Sequence, residues 1–105
     1  MRQTQLVGTA RFTQANSEHT GKITIVQGIQ SIFNLVTIEN VGQGKVKFDR
    51  DGSFRGSWAM NNEIYDVDGK AHGDQSSWDG TFILRHVETS AIIARGSFHV
   101  EKTSR

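Results

Sequence analysis

The stretch KVKFDRDGSFRGSWAM, Lys45 to Met60, constrains the fold more than any other part of this chain. Val46, Phe48, Phe54, Gly56, Trp58 and Met60 share one parity, while Lys45, Lys47, Asp49, Ser53, Arg55 and Ser57 share the other. A period of two is that of a strand with one dry and one wet face. A three-residue loop, Arg50-Asp51-Gly52, pairs Phe48 with Phe54 and Asp49 with Ser53 and so keeps this parity through the middle of the stretch. Such a loop is a type I turn followed by a left-handed residue, a position that glycine fills without steric penalty.

The C-terminal third reads in the same way. A loop at Glu88-Thr89-Ser90 with His86 opposite Ile92 puts Phe82, Leu84, His86, Ile92, Ala94, Gly96, Phe98 and Val100 on one face. A second Asp-x-Asp-Gly, Asp66 to Gly69, predicts another turn, joining 63–66 to 70–72. The triplets Gly52-Ser53-Phe54, Gly80-Thr81-Phe82 and Gly96-Ser97-Phe98 recur at unequal spacing. They therefore read as repeated hairpin devices that enter or bend a strand against a core, not as a solenoid repeat.

Eleven Gly, no Pro and no helical stripe complete the pattern of short strands joined by tight turns. Strands are expected near 5–14, 22–27, 29–39, 44–49, 53–61, 63–67, 70–72, 77–86 and 91–101. The chain is thus predicted to be a single all-β domain over 1–105, a small antiparallel meander-like barrel of about eight strands, with a two-sheet sandwich as second choice. Its architecture resembles lipocalin-like and other small barrels, a likeness of fold that does not by itself assign a function. Between Ile32 and Ile38, Phe33 and Leu35 take one parity and Ile32, Val36 and Ile38 the other, while Ile83 and Ile93 fall on the outward face of the last hairpin. Apolar residues on both faces predict a homo-oligomer assembled through the outer strand surface.

Several function classes fall away on composition. Twelve Lys+Arg against eleven Asp+Glu leave a net charge of +1, no footprint for nucleic acid or an anionic membrane. The nearest thing to a basic cluster is Lys45, Lys47, Arg50 and Arg55. The absence of Cys removes disulfides, zinc thiolates and thiol nucleophiles. No apolar run approaches a membrane span, and the N-terminus lacks the apolar centre of a signal peptide, so the chain reads as cytoplasmic or as a processed secreted domain.

The Asp-x-Asp-Gly copies are turns in preference to calcium loops, because an EF-hand needs an acid near Met60 or Ser77 and neither is one. The four His have no spacing that pairs them on one face, so no metal site and no cofactor is expected. Trp58 and Trp78 fall on the core parity. With Met60, Tyr65 and the adjacent amides Asn61 and Asn62, they are candidates to line a ligand site, and His86, last of the inward series, stands at its mouth. The first reading is a non-enzymatic barrel binding a small apolar or amphipathic molecule through these seven residues. The alternatives are a barrel isomerase or cyclase, in which His86, Glu63 or Asp66 moves a proton, and a protein-interaction module using the outer surface of Ile32–Ile38 and Ile93.

Overall fold

The computed structural model describes residues 5–27, 33–74 and 76–103. Eight strands follow one another: β1 (Gln5–Gln14), β2 (Ser17–Gln27), β3 (Phe33–Ile38), β4 (Gly42–Phe48), β5 (Ser53–Met60), β6 (Glu63–Gly73), β7 (Ser77–His86) and β8 (Ile92–Lys102). Each pairs antiparallel with the next, and β8 returns to β1 from Leu6↔Lys102 to Gln14↔Ala94. The result is a closed barrel in meander order, the first of the two architectures expected. Closure leaves no unpaired strand edge. The connections after β1, β3, β5 and β7 lie at one end, here the turn end; the start of β1 and the end of β8 lie at the other, the terminal end.

The β4–β5 hairpin has the expected register. Phe48 faces Phe54, the Gly52 amide donates to the Asp49 carbonyl at 3.0 Å, and Gly52 has φ +91°. The Asp51 carboxylate accepts from both the Ser53 hydroxyl at 2.6 Å and the Ser53 amide at 2.9 Å. The first Asp-x-Asp-Gly is a turn.

The second is not. Asp66 to Gly69 lies inside β6, with Val67 paired to Gly56 on one side and Leu84 on the other. Gly69 faces inward between Phe54 and Phe82, and a Cβ there would lie 2.6 Å from the Phe54 ring. It makes room for an aromatic ring where a turn was expected. The turn of this region is instead Asn61-Asn62, both with positive φ, the type I′ geometry that Asn tolerates. Ala15-Asn16 makes the same turn, so β2 begins at Ser17, five residues before its expected start.

The C-terminal hairpin keeps its faces but not its register. A bulge between Leu84 and Arg85 sets Arg85 opposite Ile92 and Leu84 opposite Ala94, where His86 was expected to face Ile92. Ile92 is consequently exposed and Ile93 packs against the core, the reverse of the expected assignment. Of the expected strand 29–39, residues 29–32 lie outside the described set.

Around the inner wall, large and small residues alternate across the strands. One line runs Phe48, Phe54, Gly69, Phe82, Gly96, Phe12; the next sets Ala71, Gly80, Phe98 and Ala10 side by side. Rings of this size cannot all stand on adjacent strands of so narrow a barrel; a glycine opposite Phe54, Phe82, Phe98 and Phe12 gives each space, while Phe48 packs directly against Phe54. The recurrent Gly-x-Phe triplets of β7 and β8 are the sequence trace of this packing.

Candidate functional site

The interior is full. Among the described residues no polar or charged residue is buried, and the cavity left between Ile25, Val46, Phe54, Trp58, Phe82 and Phe98 is about 20 Å³. Pockets for small organic ligands usually measure roughly 300–1,000 Å³. An internal ligand of the expected kind therefore has no room while these side chains hold their places.

Six of the seven candidate residues gather at the turn end. Trp58, Tyr65 and His86 face one another across β5, β6 and β7, with Met60 one step nearer the rim opposite Glu63. The Trp58 indole is buried, with Nε1 3.5 Å from the Val41 carbonyl. Asn61 and Asn62 form the exposed turn beside them. Trp78 does not join this group. It lies near the terminal end, its ring 5.0 Å from that of Phe48 and its Nε1 donating to the Asp74 carbonyl at 2.8 Å.

The turn-end group carries a polar contact chain. The Tyr65 hydroxyl donates to Glu63 Oε2 at 2.7 Å, and His86 Nε2 lies 3.8 Å from Glu63 Oε1, beyond hydrogen-bond distance. The Tyr65 and His86 rings meet edge to face at 5.4 Å. Because the Glu88 amide donates to His86 Nδ1 at 3.3 Å, a neutral His86 carries its proton on Nε2, towards Glu63. The hydrogen bond to Glu63, with burial second, raises the Tyr65 phenol above its ordinary range.

A larger concavity opens on the outer wall, where a groove of about 630 Å³ crosses β1, β8, β7 and β6. Register places its polar side chains in two lines: Thr9, His99, Asp79, His72, and beside them Arg11, Ser97, Thr81, Lys70. His99 Nδ1 is 2.7 Å from Asp79 Oδ1 and its Nε2 is 3.2 Å from Glu101 Oε1. The bond to Asp79, reinforced by Glu101, raises His99 above the usual imidazole range. With Asp79 committed to His99, the groove presents Lys70, His72 and Arg11, whose Nε lies 4.0 Å from the exposed Glu18 Oε1, around three hydroxyls. Sequence reasoning passed over these residues because they sit on four strands and share no motif. Their common wet parity was the one signal available.

Among the described residues no group of three or more His, Cys, Asp or Glu is disposed to hold a metal ion. Among the same residues no helix is long and apolar enough to cross a membrane. No protein-family model, curated protein or solved structure matches this chain, so its class rests on the fold: a closed eight-stranded antiparallel meander barrel.

Proposed function

We propose that this protein is a non-enzymatic binding barrel whose ligand, a small polar anion, is held on the outer wall in the groove between Arg11, Lys70 and His72. The observation that carries this reading is the contrast between an interior cavity of about 20 Å³ and an outer groove of about 630 Å³. Cations and hydroxyls converging from four strands on a rigid sheet are the type of donor set that orients a carboxylate or phosphate. The test is amide NMR titration with inorganic phosphate, citrate and a sugar phosphate. Shifts at β1, β6, β7 and β8 around the groove, weakened several-fold in Arg11→Gln and Lys70→Gln, are expected. Absence of such shifts at millimolar ligand, or shifts centred on Trp58, overturns the reading.

A second reading, proton transfer by an isomerase or cyclase, has the Tyr65–Glu63–His86 contacts in its favour. It demands turnover with a pH profile set by one ionisable group and abolished in His86→Ala.

Homo-oligomerisation belongs to the same proposal, on a different part of the outer surface. Ile64, Val87 and Ile92 are 57%, 48% and 44% exposed where β6, β7 and β8 meet the turn end. An exposed apolar patch is compatible with its own copy across a two-fold axis. Ile64→Lys is expected to turn a concentration-dependent dimer into a monomer in light scattering. An unchanged molar mass across concentrations in the unmodified protein defeats the idea.

A further inference from the structure

The opposite wall of the barrel, β3 to β5, carries a separate surface. Phe33 and Leu35 are exposed there at 45% and 40%, two residues apart on β3. Across the next strand Phe33 faces Lys47 and Leu35 faces Lys45, and beyond Lys47 stands Arg55. An apolar column therefore runs beside a cationic one, about 5 Å away, the spacing of neighbouring strands.

Among the described residues none of Lys45, Lys47 and Arg55 makes an ion pair, although the protein as a whole is nearly neutral. Asp68 faces Arg55 directly, yet its carboxylate goes the other way, to Arg85 Nη1 at 3.0 Å. The outward side chains of β3, β4 and β5 include no acid, and a groove of about 540 Å³ lined by Phe33, Lys47 and Arg55 runs from them towards Asp66, Asp68 and Arg85 of β6 and β7. Unpaired positive charge beside exposed apolar side chains matches a partner with the opposite charge and its own apolar side chains.

We infer that the β3–β5 wall docks an extended acidic peptide segment of another protein, its carboxylates over Lys45, Lys47 and Arg55 and its apolar side chains over Phe33 and Leu35. A second copy of this chain is the poorer fit, because this face carries no carboxylate of its own to answer the cations in a two-fold pairing. Single-stranded nucleic acid fits less well. One aromatic ring is no stacking platform for successive bases, whereas Leu35 beside it suits an aliphatic side chain. The inference is independent of the anion groove, which lies on other strands.

The test is fluorescence anisotropy with a labelled peptide of alternating Glu and Leu, its Gln-for-Glu counterpart and labelled oligo-dT, each with the intact protein. Micromolar binding of the acidic peptide is expected, weakened at least tenfold by Lys45→Glu/Lys47→Glu, several-fold by Leu35→Asn, and progressively by salt. The substituted side chains point into solvent, and circular dichroism checks that each variant keeps the barrel. No binding at millimolar peptide, equal binding by the charge-reversed variant or the Gln peptide, or tighter binding of oligo-dT overturns the assignment. Arg11→Gln and Lys70→Gln leave peptide binding unchanged, which separates this surface from the anion groove.

Discussion

Gly96 and Phe12 face each other across the β1–β8 seam that closes the barrel, and a Cβ on Gly96 would lie 2.7 Å from the Cβ of Phe12 and 2.1 Å from the Arg11 carbonyl oxygen. Neither obstacle is the free end of a flexible side chain. Gly96→Ala is therefore expected to cost at least about 1–3 kcal/mol, the usual range for overpacking a core, and denaturant titration measures it. Wild-type stability in this variant means that the seam relaxes easily.

The β1–β2 turn holds the opposite opportunity. Ala15 has φ +52° in a type I′ position, where an L-residue without a polar side chain is disfavoured by roughly 1–2 kcal/mol. Ala15→Asn, matching the Asn61-Asn62 turn, is expected to raise stability by about 1 kcal/mol or somewhat less. A lower thermal midpoint for this variant contradicts the turn assignment.

Tyr65 is the one tyrosine of the chain, so its ionisation is read directly by ultraviolet titration. Its bond to Glu63 holds the phenol above the ordinary value near 10. Glu63→Gln removes the charge that opposes ionisation, and the titration is expected to move down. An ordinary value in the unmodified protein shows that the contact does not persist in solution.

His99 is expected to titrate above ordinary imidazole in an NMR titration, first because of Asp79 and then Glu101. The sign for stability follows. A folded-state value above the unfolded one makes the contribution complete below the unfolded value near 6.5 and lost as pH rises through the folded value. Asp79→Asn lowers the His99 midpoint and flattens this dependence. A midpoint unmoved by that substitution refutes the contact as its cause.

Much of the barrel was legible because alternation is a local property. From Lys45 to Met60 it assigned the strand side chains to their faces, and the three-residue loop followed, since an odd loop keeps parity and three is the common odd length. The same rule erred where local pattern and distant packing compete. Asp66 to Gly69 has the composition of a turn, but Phe54 and Phe82 on the flanking strands need a glycine between them. Ile92 and Ile93 exchanged faces because a bulge consumes one residue without any mark in the composition. Asn61 and Asn62 read as amides for a ligand and serve as the positive-φ pair of a turn.

The sequence by itself determined the all-β class, the inward set Phe54, Trp58, Phe82, Leu84 and Phe98, and the near-neutral charge, all properties of residue type and period. Only tertiary structure decided that Trp58 and Trp78 sit towards opposite ends, that ring against glycine fills the interior, and that Arg11, His99, Asp79 and Lys70 share one groove while Lys45, Lys47 and Arg55 remain unpaired on another wall. Alternation specifies a face of the sheet. The height and neighbours of a side chain on that face are set by strand register and by closure of β8 on β1, which join residues far apart in the chain.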